Sequence, residues 1–251
     1  MPFIWVAKRR LPVRPMLEVK NLSAHHGRAQ LLFDVSFTAK AGEVLVLVGR
    51  NGAGKSTTMK AIMGLLPDAT GEVRFDRAMI TGLTAHEIAR RGLGYVPEDR
   101  RIFTDLTVAE NLEVGRQPSS ANVVDAPRWT VARVCELFPR LAEMLDRPGG
   151  HMSGGEQQML TIARTLMGNP KAILLDEPSE GLAPIVVEHI ARTVQALKRE
   201  GLCVILSEQN LNFARAVADR AVVIDRGSVK FSGSFAELEA DPALKDQYLV
   251  A

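Results

Sequence analysis

Apolar and polar positions along the chain follow two alternating periods. Val44-Leu45-Val46-Leu47-Val48 and Ala172-Ile173-Leu174-Leu175 are unbroken apolar runs of strand length, the pattern of strands covered on both faces. Leu17 to Leu22, Leu31 to Lys40 and Gly71 to Asp76 read as further strands. So do Leu93 to Pro97, Leu202 to Ser207, Ala221 to Asp225 and Ser228 to Phe231. Helical spacing runs over Thr58–Leu66, Thr84–Arg91 with Gly92 as its stop, Val108–Val114, Val131–Met144, Ser153–Met167, Pro184–Arg199 and Leu211–Ala218. Strands alternating with helices predict an α/β fold with a mainly parallel sheet covered on both sides. Between Thr107 and Met152 the pattern is helical only, broken by a polar loop from Gln117 to Arg128. That stretch predicts an inserted helical subdomain, serving either a partner surface or packing. Residues 1–15 read as a tail and 16–251 as the folded domain.

Composition narrows the class. A chain of 251 residues with 46% hydrophobic residues can bury one large core with a subdomain attached. Its 31 basic and 29 acidic residues are too balanced to argue for a nucleic-acid partner. Cys135 and Cys203 are far apart within apolar patterns, as packed thiols of a reducing compartment would be. No apolar run approaches the roughly 18 residues needed to span a bilayer, so any membrane role would go through a partner.

Candidate chemistry enters at Gly49-Arg50-Asn51-Gly52-Ala53-Gly54-Lys55-Ser56-Thr57, which fits the phosphate-binding pattern G-x-x-x-x-G-K-[ST] between a buried strand and a helix. Glycines 49, 52 and 54 allow successive N–H groups to form an anion nest, and the helix adds its positive end. Lys55 supplies charge for the β- and γ-phosphates of a nucleotide, and Ser56 a hydroxyl for Mg²⁺. Asp176 and Glu177 close a predicted strand at the end where α/β sheets bind ligands. Asp176 suits the metal shell and Glu177 the orientation of an attacking water.

Ser153-Gly154-Gly155-Glu156 precedes that pair and opens a helix. Ser-x-x-Glu is a capping box in its own right. Two glycines in the first turn cost about 0.8–1 kcal/mol each against alanine, which capping does not require and close approach to a phosphate does.

With these three motifs in this order, the sequence resembles the ATP-binding-cassette superfamily, over essentially all of residues 16–251. The resemblance implies a P-loop ATPase with an N-terminal antiparallel β part, a mainly parallel core sheet and a helical subdomain inserted at about residues 99–167. It also implies ATP and Mg²⁺ as ligands, and two cassettes facing head to tail so that Ser153, Gly154, Gly155 and Glu156 close on nucleotide held by the opposite phosphate loop. Ala24-His25-His26-Gly27, Arg90 to Glu98, Glu180-Gly181-Leu182-Ala183-Pro184 and Ser207-Glu208-Gln209-Asn210 resemble the smaller ATP-binding subunit of branched-chain amino-acid importers. Such a subunit works at the cytoplasmic face of the membrane as a homo- or heterodimer. It sits under two integral membrane permeases, with a periplasmic or extracellular substrate-binding protein acting indirectly and no nucleic acid.

Four positions depart from the family pattern. His26 stands where an aromatic residue usually stacks on adenine. Glu98 replaces a glutamine near Mg²⁺, with Asp99 to Phe103 after it as either docking surface or solvated charge. Gln209 stands in the switch position of a histidine, and its amide can bond a γ-phosphate without carrying charge. Ala183 replaces an aspartate that communicates across the dimer. Gln209 and Ala183 leave open a slowly hydrolysing regulatory cassette, and because related uptake systems share these stretches the resemblance also leaves open an importer of urea or short amides.

Overall fold

The computed structural model describes residues 15–117 and 129–248. The expected tail up to residue 14, the polar loop from residue 118 and the last three residues lie outside the described residues. Strand β1 (Pro15–His26) and β2 (Ala29–Lys40) are longer than the sequence pattern predicts, because they pair as one antiparallel hairpin down to His26 and Ala29. There follow β3 (Val44–Val48), α1 (Lys55–Ile62), β4 (Ala69–Phe75), β5 (Ala78–Met79), α2 (Ala85–Arg90) and β6 (Leu93–Val96). The helical stretch comprises α3 (Val108–Gly115), α4 (Val131–Leu137), α5 (Pro139–Ala142) and α6 (Gly154–Leu166). The rest is β7 (Ala172–Asp176), α7 (Pro184–Arg199), β8 (Cys203–Glu208), α8 (Leu211–Val217), β9 (Arg220–Asp225), β10 (Ser228–Ser234), α9 (Phe235–Ala240) and α10 (Pro242–Tyr248).

Two sheets result. The order β2-β1-β4-β5 is antiparallel, and β10-β9-β3-β8-β7-β6 is parallel except for the β9–β10 hairpin at its edge. Every residue of β3 and β7 is buried, which explains their unbroken apolar runs. The strand period of two divides them between two cores. Val44, Val46, Val48, Ile173 and Leu175 pack with α6, α7 and α8, whereas Leu45, Leu47, Ala172 and Leu174 pack with α1 and the antiparallel sheet.

Two expected helices are corrected. The segment Val131–Met144 is two helices: Phe138, at φ −126° and ψ 73°, leaves the helical region before Pro139, whose ring disfavours a helical predecessor. Helix α1 begins at Lys55, not Thr58, because Gly54 at φ 110° makes the turn out of the loop and places Lys55 in the first helical position.

The loop after β6 is tied to the helical insert by Asn111, fully buried on α3. Its Nδ2 donates to the carbonyls of Phe103, Leu106 and Thr107 at 2.9, 3.1 and 2.9 Å, and its Oδ1 accepts from the Phe103 amide at 2.9 Å.

Candidate functional site

The phosphate-binding pattern lies where β3 leaves the sheet. A side chain at Gly49 would place its Cβ 2.2 Å from the carbonyl oxygen of Ile224 on β9, so only glycine lets the two backbones meet there. The Gly227 amide after β9 donates to the Ala53 carbonyl at 2.8 Å and braces the far side of the loop. A cleft of about 300 Å³ is lined by Asn51, Gly52, Ala53, Gly54, Lys55, Ser56 and Thr57, together with Glu98, Glu177 and Glu180. The structure therefore gathers phosphate-loop residues with two of the carboxylates singled out in the sequence.

Lys55 is buried at the start of α1. Its Nζ donates to the Gly49 and Arg50 carbonyls at 2.8 and 3.1 Å and pairs with Glu177 Oε1 at 3.0 Å. Glu177 follows β7 in a left-handed conformation at φ 48°, rare for a non-glycine residue. Burial pushes its carboxyl above the usual range, and the Lys55 charge opposes that shift. Its Oε2 is buried without a hydrogen-bond partner among the described residues.

Asp176 does not line the cleft but is held by three hydroxyls. Ser56 and Ser207 each donate to Oδ1 at 2.7 Å, and Tyr95 donates to Oδ2 at 3.0 Å. Burial and the Asp176 charge raise the Tyr95 phenol, which keeps it a donor. The Ser207 hydroxyl also accepts from the Glu177 amide at 2.9 Å, so one side chain holds both the Asp176 carboxylate and the Glu177 backbone. Neither Tyr95 nor Ser207 was assigned a role from the sequence. The available signal was a serine inside the apolar run of β8.

A second cleft, of about 430 Å³, shares Glu177 and Glu180 and contains Ser179, Glu208, Gln209 and Asn210. Gln209 is exposed on its wall, next to buried Glu208.

Ser153 and Glu156 form the capping box: the Ser153 amide and hydroxyl each donate to Glu156 Oε2 at 2.8 Å, and the Glu156 amide donates to Ser153 Oγ at 3.4 Å. These bonds hold the Glu156 carboxyl below the ordinary range. Gly155 has a packing reason within the chain, and Gly154 faces only the movable end of an arginine. A Cβ on Gly155 would come within 2.8 and 2.9 Å of the Val186 methyls on α7, and one on Gly154 within 2.9 Å of the Arg100 guanidinium. Packing on α7 is thus a second reason for Gly155, beside the close phosphate approach expected from the sequence. None of Ser153, Gly154, Gly155 and Glu156 lines either cleft, nor does His26, exposed at the end of β1.

Among the described residues no helix is long and apolar enough to cross a membrane. No cluster of three or more His, Cys, Asp or Glu side chains suits a metal among them. Mg²⁺ does not require such a cage, since it is commonly held by one or two carboxylates and substrate phosphates. The Ser56 hydroxyl and Asp176 carboxylate are hard oxygen donors of that kind.

A family described as ABC transporter matches residues 32–180. The high-affinity branched-chain amino acid transport ATP-binding protein BraG of Pseudomonas aeruginosa is 44% identical, covering 93% of this chain and 99% of that protein. The lipopolysaccharide export system ATP-binding protein LptB of Escherichia coli is 36% identical, covering 93% and 96%. A crystal structure of the ADP conformation of an ATP-binding cassette of an ABC transporter superposes with a TM-score of 0.78 at 28% identity, covering 93% of this chain and 98% of that one. The match spans more than half of the chain and includes both the phosphate loop and the Asp176-Glu177 pair, so the chain belongs to the ABC transporter family as one of its ATP-hydrolysing subunits.

Proposed function

We propose that this subunit powers import of branched-chain or related amino acids. It works at the cytoplasmic membrane face as a homo- or heterodimer of cassettes beneath two integral membrane permeases, fed indirectly by a substrate-binding protein. The observation that carries the cargo is the 44% identity to BraG along nearly the whole of both chains, against 36% to LptB.

In this reading the amides of Asn51 to Thr57 and the Lys55 ammonium bind the phosphate tail of ATP, and the helix end of α1 adds to the attraction. Ser56, Asp176 and Glu98 are the residues that would hold Mg²⁺, which supplies charge neutralisation for the phosphates. Buried Glu177 Oε2, without a partner among the described residues, fits the acceptor for a water proton. Water oxygen bonds to the γ-phosphorus, the bond to the bridging oxygen breaks, and Glu177 takes the proton as ADP and phosphate form. A carboxyl raised by burial is better matched to that task at neutral pH than an exposed one. Gln209 would bond the γ-phosphate, His26 would stack on adenine, and Ser153 to Glu156 would close on nucleotide in the facing cassette.

The test is uptake of labelled leucine, isoleucine and valine in cells lacking the chain. Uptake is expected to be lost, and restored by the wild type but not by Glu177→Gln. Normal uptake with defective lipopolysaccharide export would favour the role named for LptB instead.

A further inference from the structure

Glu208 is the last residue of β8 and has 1% of its surface exposed. Its Oε1 accepts from the Ser179 amide at 3.1 Å and its Oε2 from the Asn210 amide at 3.2 Å. Those amides belong to different loops. Ser179 lies two residues after Glu177, and Asn210 follows Gln209; both loops wall the same cleft of about 430 Å³. Glu208 forms no ion pair among the described residues, and the charge of Glu177 that bears on it is of like sign. A buried carboxylate in that position is costly for the fold. Local capping does not explain it, because the Asn210 side chain already caps α8 by accepting from the amides of Asn212 and Phe213. Glu177 itself has a left-handed backbone, which persists only where surrounding bonds over-determine it. One such bond is the Ser207 hydroxyl on its amide, and the next is the Glu208 carboxylate two residues on.

We propose that Glu208 is a positioning residue for ATP hydrolysis: its carboxylate fastens the loop carrying Glu177 to the loop carrying Gln209, fixing where Glu177 meets the attacking water. The role rests on the hydrolytic assignment above. Two acceptors spread over one rigid carboxylate can hold two amides at once. An amide side chain can hold only one and turns a donor toward the other.

The experiment uses the full chain as Glu208→Gln and Glu208→Asp, with steady-state ATPase kinetics, ADP affinity, amide hydrogen exchange and thermal unfolding. For Glu208→Gln the expected result is a kcat at least about tenfold lower, with KM for ATP and ADP affinity within about twofold. Exchange should quicken at Ser179 and Asn210 and stay unchanged in α1 and α6, while the melting temperature above neutral pH holds or rises. Glu208→Asp, which keeps the charge but reaches one amide only, should fall between. An unchanged kcat would overturn the proposal, and so would a loss of kcat accompanied by lower ADP affinity and quicker exchange throughout. If Glu208→Gln does not fold, the same readouts on Glu208→Asp decide. A wild-type chain without ATPase activity would instead remove the hydrolytic assignment, and this role with it. An active wild type with an unaffected Glu208→Gln removes this role alone.

Discussion

Lys55 Nζ and Glu177 Oε1 stand 3.0 Å apart, with 4% and 6% of their side chains exposed. This buried pair joins the group proposed to bind phosphate to the group proposed to take a proton from water. Replacing one member therefore has different consequences from replacing an exposed, uncharged lining residue such as Gln209.

Glu177→Gln keeps the shape of the side chain and leaves Lys55 its two carbonyl partners, so binding of ATP should change little. The proposed general base is lost, and kcat should fall by about 10²-fold or more. Gln209 is exposed and carries no charge, so Gln209→Ala should cost less than about tenfold. Steady-state ATPase rates compare the two, and equal losses would overturn the assignment of roles.

Glu208 gives stability its own pH dependence. Burial pushes its carboxyl up to about 7, with Glu177 adding to the shift and the Ser179 bond opposing it. The folded chain then binds a proton more tightly than the unfolded chain. The contribution is fully present below the ordinary carboxyl pKa and is lost as pH rises through about 7. Relative to Glu208→Gln, the wild type should lose on the order of 2–3 kcal/mol between pH 4.5 and 8. Denaturant unfolding of both proteins across that range measures it.

Ser207→Ala removes the acceptor of the buried Glu177 amide and one donor to Asp176. An orphaned buried amide costs about 1–3 kcal/mol. Loosening Asp176 should also raise the Mg²⁺ concentration for half-maximal ATPase activity by about tenfold, the scale seen when partners of metal ligands are removed. Thermal unfolding and a Mg²⁺ titration test the two effects separately.

Gly155→Ala sets helix propensity against packing. Alanine gains about 1 kcal/mol in a helix, yet its Cβ would press on both Val186 methyls at 2.8 and 2.9 Å. Val186 is β-branched and cannot swing aside freely, so overpacking should win by about 1 kcal/mol or more. The double variant Gly155→Ala, Val186→Ala removes those methyls and should be less destabilised than the sum of the two single changes. Additive losses would show that the contact is not the cause.

What could be read from the sequence follows the range of each signal. The apolar runs of β3 and β7 and the glycine–lysine loop are local patterns, and the structure gathers Asn51 to Thr57 with Glu98 and Glu177 at one cleft. Helix α9 carries a local signal of its own, since Ser234 and Glu237 form the same capping box as Ser153 and Glu156, but it is too short for a helical period to show. Helical spacing continues through Pro139 and hides the break at Phe138. The hydroxyls on Asp176 were beyond local reading: Tyr95 and Ser207 lie 81 and 31 residues away, brought together only by the neighbouring strands β6, β7 and β8. The bridging role of Glu208 had the same obstacle, since its partner Ser179 is 29 residues distant.

The stem of the phosphate loop, β3, is paired on both flanks, with β8 and with β9, and alternate residues are locked into opposite interiors. It cannot slide without tearing two ladders and prying open both halves of the molecule. Gly49 is consequently the fixed datum of the machine, and any motion that accompanies turnover has to be borne by the peripheral helices and the segments between them.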